Sequence, residues 1–216
     1  MARLLLIIVA LLSLPMIAFR VEAAHLNPDY TGQIDLSGSP SGISIDATAD
    51  PLYTADSVTN TFWAVDTTMN VAVCSSSLSA GSMPIDVAVN PATGLVYVAQ
   101  IAEVIGVSVV DGATCDVLRA IAIMDPVTEA PVNTLGAIAM NSTTSRIYVT
   151  VFSSSSPSGE AVAVIDAGSE TVLDIIPVGS SGGGLTNDLK VNPTTNRIYV
   201  TNIGSDTVST VARTRW

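Results

Sequence analysis

The sequence predicts an all-β fold built from repeated four-stranded antiparallel sheets, and three observations predict it. After residue 30, apolar and polar residues alternate over short runs, and no stretch has helical spacing. Gly, Pro, Asn and Asp punctuate those runs where tight turns need preset or left-handed backbone. Four segments also align in phase: Asp46-Ala-Thr-Ala-Asp-Pro-Leu-Tyr53, Asn90-Pro-Ala-Thr-Gly-Leu-Val-Tyr97, Asn141-Ser-Thr-Thr-Ser-Arg-Ile-Tyr148 and Asn192-Pro-Thr-Thr-Asn-Arg-Ile-Tyr199. Their tyrosines stand 44, 51 and 51 residues apart. A period of this length holding only short strands and turns is that of a β-propeller, whose blades are four-stranded sheets packed face to face. About four blades are expected, spanning residues 31–212.

The chain opens on an expected export signal, residues 1–23. Met1–Arg3 is positive, Leu4–Leu14 is apolar apart from Ser13, and Pro15 breaks the run well short of the roughly 20 residues that a membrane-spanning helix needs. Val21-Glu22-Ala23 suits cleavage before Ala24; the alternative is an uncleaved anchor continued through Met16–Phe19. Residues 24–30 are read as a linker and 213–216 as a tail. The expected location is secreted, periplasmic or cell-surface, with no transmembrane anchor. In that oxidising setting Cys74 and Cys115 are a candidate disulfide.

Within each repeat the strands follow in order. A first strand, such as Ile85–Val89 or Leu189–Val191, runs into a turn where Pro91 or Pro193 presets φ and Gly94 or Asn196 tolerates positive φ. The second strand is Leu95–Ala99, Ile147–Val151 or Ile198–Thr201. The third, Thr61–Val65, Val107–Val110, Ala161–Ile165 or Thr207–Val211, is closed in the first three repeats by Asp66, Asp111 and Asp166, which are expected to hold the backbone of the next turn. A fourth strand such as Thr171–Val178 leads through Gly and Ser to the next repeat.

These motifs resemble the YVTN β-propeller repeat family of surface-layer and exported bacterial proteins. Asn192–Asn202, with Tyr199-Val-Thr-Asn202, is close to the family signature; Arg146–Thr150 with Val162–Asp166 and Gly94–Val98 with Val107–Asp111 repeat it, and the first repeat departs from it at Asp46 and Ala47. The resemblance implies a propeller that is commonly seven-bladed and mostly non-enzymatic, with one relative reported to bind DNA. Here the last repeat lacks a fourth strand and has Ala212 where the closing Asp should stand, while Thr31–Pro40 reads as an orphan fourth strand. We therefore expect Gln33–Leu36 to pair with the last blade and seal a four-bladed ring. The rival is an open segment of a larger propeller, completed by another chain or belonging to a truncated gene.

Composition removes several chemistries. A single His and two Cys do not make a transition-metal cluster or a triad, and His25, beside the expected mature N-terminus, lacks the second imidazole a copper brace needs. The chain carries 8 Lys+Arg against 19 Asp+Glu, a net charge of −11, so no nucleic-acid partner is expected. Asp46, Asp86 and Asp188, on or near innermost strands, are the metal candidates, for a Ca²⁺ ion at the channel mouth; no other cofactor is expected.

Recognition is expected on the links between second and third strands and between blades, which share one face. Phe152, Ser154, Pro157 and Glu160, with Pro131, Asn133 and Asn187, mark that face. The repeated tyrosines are read as packing between blades, and Asn141-Ser-Thr143, although a glycosylation pattern, as a turn. One of Phe62 and Trp63 must face the core by strand alternation. The expected function is an exported, non-enzymatic propeller acting as a binding or structural scaffold, with a protein or glycan partner. The alternative is a lactonase-like propeller hydrolase or lyase with Ca²⁺ at the channel mouth.

Overall fold

The structure, a computed structural model, describes residues 32–36, 38–101, 106–125, 127–132, 134–152, 156, 159–179 and 188–212. Four sheets form in chain order. The first is β1 (Pro40–Ile45), β2 (Pro51–Asp56), β3 (Thr61–Asp66) and β4 (Val71–Ser77); the second is β5 (Pro84–Asn90), β6 (Leu95–Gln100), β7 (Val107–Asp111) and β8 (Val117–Ile121). The third is β9 (Leu135–Asn141), β10 (Arg146–Phe152), β11 (Glu160–Asp166) and β12 (Val172–Pro177); the fourth is β13 (Leu189–Asn192), β14 (Arg197–Asn202) and β15 (Thr207–Ala212). Each sheet is an antiparallel meander. A short 3-10 turn, Ile203–Ser205, joins β14 to β15. Among the described residues no helix is long and apolar enough to cross a membrane.

The turns at one end of the sheets explain why the strands stop where they do. Asn90, Asn141 and Asn192 accept the backbone N–H two residues on, at 3.1 Å in each case. Asp46 does the same from Thr48 N–H at 2.8 Å. The turns after third strands repeat the device: Asp66 accepts from Thr68 and Met69, Asp111 from Ala113 and Thr114, and Asp166 from Gly168 and Ser169, all between 2.8 and 3.0 Å. The chain then passes through one positive-φ residue before the next strand: Asp50, Gly94, Ser145 and Asn196 in the first set, Asn70, Cys115 and Glu170 in the second. Asn and Asp suit both jobs, because the side chain mimics a backbone acceptor and tolerates left-handed geometry.

Successive sheets pack through their inner strands: β1 and β2 lie against β5, β5 and β6 against β9, and β9 and β10 against β13. Three apolar clusters fill these interfaces. Tyr53, Ala55, Phe62 and Ala64 meet Val87, Val89, Val96 and Val98; Ala88, Tyr97, Val107 and Val109 meet Ile138, Ile147 and Val149; Tyr148, Val162 and Val164 meet Leu189, Ile198 and Val200. Phe62 stacks on Tyr53 with ring centroids 5.9 Å apart, and Trp63 points to the opposite side of its strand. Cys74 and Cys115 form a disulfide, which ties β4 of the first sheet to the turn after β7 of the second.

The expected closure differs. Residues 32–36 contain no strand, so Gln33–Leu36 does not complete the fourth sheet, which has three strands. The reason is reach. Only residues 37–39 separate this segment from β1, at most ~14 Å from Leu36 to Pro40 even when extended, so the closure requires the first and fourth sheets to lie together. Instead Ile43 and Ile45 of the first sheet and Tyr199 and Val208 of the fourth are exposed. The four sheets form a propeller-like succession whose two outermost faces are uncovered by one another.

Candidate functional site

Strand order fixes two ends. The β1–β2 and β3–β4 turns and their repeats lie at one end, and the links between second and third strands and between sheets lie at the other. The three metal candidates are divided between these ends. Asp46 sits in the turn after β1, whereas Asp86 and Asp188 stand at the opposite end, at the start of the inner strands β5 and β13.

Each of the three carboxylates is engaged by the fold. Asp86 accepts its neighbour Val87 N–H through Oδ1 and the next sheet's Ile138 N–H through Oδ2, both at 2.9 Å. It is a clasp between the second and third sheets. Burial pushes the Asp86 carboxyl up; the Ile138 and Val87 amides and the Lys190 ammonium oppose that rise. Asp188 repeats half of this arrangement, accepting Leu189 N–H at 2.9 Å and pairing with Lys190 Nζ at 2.7 Å. Asp46 Oδ1 accepts the hydroxyl of Thr48 at 2.6 Å, and the hydroxyl and the amides of Thr48 and Ala49 hold its carboxyl below the ordinary range against a smaller opposing effect of burial. Among the described residues no three His, Cys, Asp or Glu side chains gather as metal ligands.

The turn end holds an acidic cleft. This cleft, of about 480 Å³ between the turns of the first two sheets, is bordered by Asp46, Asp50, Asp66 and Asp111, with Tyr53 at its inner wall. Asp46, Asp66 and Asp111 hold their own turns, and the amides of Thr114 and Ala113 lower the Asp111 carboxyl. Asn141, the glycosylation-pattern residue, is fully buried and donates through Nδ2 to Asn196 Oδ1 at 2.9 Å, joining turns of the third and fourth sheets.

The link end is apolar. Val58, Met83, Met124, Val127, Phe152 and Ile203 all occur there and all are exposed, five of them on links; at the other end, among the described residues, Met69 is exposed in a turn and Ile45, Val71 and Val117 at strand ends. Phe152 is the last residue of β10 and Glu160 the first of β11, and the two are paired. They are strand ends and not the interior of a loop: the in-register hairpin runs one residue further than the alternation suggests, and Glu160 is buried as a result. The Phe152 ring lies over Gly159, where a Cβ would come within 2.8 Å of it and where φ is +77°. A side chain there would be strained by the positive φ and would push the Phe152 ring aside. Pro131 bridges Met124, which gives the link before β9 a paired base.

Ser154, Pro157, Asn133 and Asn187 lie outside the described residues, as do the leader, the 24–30 linker, His25 and the 213–216 tail. Val58, Met83, Met124, Val127 and Ile203 were not singled out from the sequence. The signal for two of them is an apolar residue inside a turn otherwise made of Ser, Thr, Asn and Gly, as in Ser57-Val-Thr-Asn60 and Asn202-Ile-Gly-Ser205.

No family model and no curated protein sequence matches the chain. Solved structures do. One, described as Kuenenia stuttgartiensis hydrazine synthase, superposes with a TM-score of 0.62 at 15% identity, covering 79% of this chain and 46% of its own. Another, from a nidogen/laminin complex, gives a TM-score of 0.58 at 11% identity, covering 80% of this chain and 60% of its own. The chain thus spans about half the length of the structures it matches. At such identities the likeness is one of fold alone, and with the four packed antiparallel sheets it makes the architecture β-propeller-like.

Proposed function

We propose that the protein is an exported, non-enzymatic β-propeller scaffold, secreted, periplasmic or at the cell surface, that binds a protein or glycan partner through its link end. The observation that carries this reading is the gathering of exposed apolar side chains at that end, on strand ends and links held by rigid sheets. Large apolar groups left in water at one end of a repeat scaffold mark a surface that another molecule covers. The Tyr199-Val-Thr-Asn202 segment and its in-phase copies support placing the repeats with the YVTN type. The carboxylates best placed for channel-mouth chemistry, Asp86 and Asp188, receive backbone amides, which favours a structural role for them over a hydrolytic one.

Binding of the fluorescently labelled protein to isolated cell envelopes of the source organism tests the reading. The pair Val127→Asp and Phe152→Asp should lower envelope binding at least tenfold with the melting temperature unchanged. Equal binding by this variant and the parent would overturn it.

A further inference from the structure

The three interfaces between sheets obey one rule. The front face of each sheet, the side bearing Tyr53, Tyr97 or Tyr148, is covered by the back face of the next sheet, whose inner strand brings two apolar side chains: Val87 and Val89, Ile138 and Met140, or Leu189 and Val191. The covered tyrosines are 3%, 0% and 1% exposed, and Val87, Val89, Ile138 and Leu189 are 2%, 5%, 4% and 0% exposed. Tyr199 holds the same phase in β14 but is 37% exposed, with Val208 exposed beside it on β15. Ile43 and Ile45 hold the phase of Val87 and Val89 in β1 but are 70% and 56% exposed. One front face and one back face are therefore uncovered; the front keeps Tyr199 and Val208 in the phase of the covered fronts, with Lys190 and Thr210 in the places of Ala88 and Val109.

We propose that these two faces meet between copies: the front of the fourth sheet of one chain receives the back of the first sheet of a second, reciprocally, so that two chains make one eight-sheet assembly. The proposal concerns a surface separate from the link end and goes beyond the binding role given above. Two polar contacts of the internal interfaces also have counterparts at these faces. Asp188 stands where Asp86 stands and already takes its own strand's Leu189 N–H at 2.9 Å, as Asp86 takes Val87 N–H. The second function of Asp86, accepting the incoming Ile138 N–H at 2.9 Å, falls in a second copy to Asp188 and Ile43 N–H, because Ile43 has the place of Ile138. At the turn end Asn141 Nδ2 donates to Asn196 of the next sheet at 2.9 Å. Asn192 and Asp50 hold those two places across the new contact, again an amide donor facing an acceptor, here a carboxylate.

This pairing is heterologous, since a front meets a back, and it closes when each chain uses both faces once. It differs from a two-fold contact of like faces in what substitutions do. Light scattering on the exported protein over a concentration series should give the mass of two chains. Ile43→Asp and Tyr199→Asp should each halve that mass at the same concentration, while the melting temperature of dilute protein stays that of the parent; Val208→Lys, on the same front face as Tyr199, should act like Tyr199→Asp. Mixing the Ile43 and Tyr199 variants should restore the two-chain mass, because one of the two contacts then forms between unaltered faces. A parent protein that is monomeric throughout, a two-chain species that survives either single substitution, or a mixture that stays monomeric would overturn the proposal.

Discussion

Tyr97 and Tyr199 occupy the same place in the second and fourth sheets, each on the second strand, one residue after the apolar position that follows the turn. Tyr97 is closed off from water between two sheets, while Tyr199 is open to it. The second sheet is apolar on both faces because both are covered: Val87, Val96 and Val98 on one side, Tyr97, Val107 and Val109 on the other. The fourth keeps apolar Leu189, Ile198 and Val200 toward the third sheet, but its other face mixes Lys190, Arg197, Tyr199, Thr201 and Thr210. A repeat sequence specifies a residue's phase, and the neighbouring sheet decides what that phase contributes to stability.

The largest effect should come from truncating the covered tyrosine. Tyr97→Ala should lower the free energy of unfolding by about 3–5 kcal/mol, at any protein concentration, in denaturant melts. Tyr199→Ala should cost less than about 0.5 kcal/mol in dilute protein, as surface substitutions do, its effect appearing only in association. Equal costs at the two sites would erase the contrast between the sheets.

Next is the disulfide, which makes the contact between the first two sheets covalent while the contacts further along have no such tie among the described residues. Cys74 and Cys115 close a loop with a sequence separation of 41, and in the chain-entropy picture their removal as Cys74→Ala/Cys115→Ala should cost about 4 kcal/mol or somewhat less. Limited proteolysis should then cut first between the first and second sheets. Cleavage still confined to the fourth sheet would show that the tie adds little to packing.

Of intermediate size is the loss of Asp56, a fully buried carboxylate at the end of β2. Burial raises its pKa, but the Thr59, Val58 and Ser39 amides outweigh that and leave it lowered. Asp56→Ala should cost about 1–3 kcal/mol, because the Ser39, Val58 and Thr59 N–H groups lose a charged acceptor. A thermal melt that does not move would remove it as the anchor of the first sheet's link end.

The smallest effect is the pH dependence, where Asp86 opposes the other shifted carboxylates. The lowered carboxyls of Asp46, Asp111 and Asp166 at the turn end, and of Asp56, contribute stability that is complete above their unfolded values near pH 4 and is lost as pH falls through their lower folded values. Asp86 has the opposite sign: its folded value is raised, so its contribution is complete below the unfolded value and fades as pH rises through the folded one. Stability should therefore rise slightly as neutral protein is acidified, then fall below about pH 4. Asp86→Ala should flatten the first limb and leave the second, as read from melts between pH 3 and 7. An unchanged first limb in that variant would assign it to another group.

Much of the fold was legible in local sequence. Asp66, Asp111 and Asp166 announce their turns because an Asx side chain bonds the amides just ahead of it whatever the surroundings, and the structure shows those bonds. The tyrosine phase likewise follows from strand alternation. Phe152 and Glu160 were placed in a link because residues between them are small and flexible, and only the paired backbone shows that the hairpin reaches both. Asp86 reads as a ligand for a cation because it is a carboxylate on an inner strand, and its neighbour Val87 N–H takes only Oδ1. Its other partner, Ile138 N–H, is 52 residues away, and no spacing rule points to it.

What the sequence by itself determined, then, is the part of this protein governed by neighbours along the chain: strand identity, turn chemistry and the side of each sheet on which a residue stands. Only the tertiary structure decided which sides are covered, that residues 32–36 do not seal the fourth sheet, and that exposed apolar side chains gather on the links at one end. Those outcomes depend on how far each sheet turns relative to the last and on the few residues that connect them. Such distances accumulate over the whole chain, so local patterns carry no record of them.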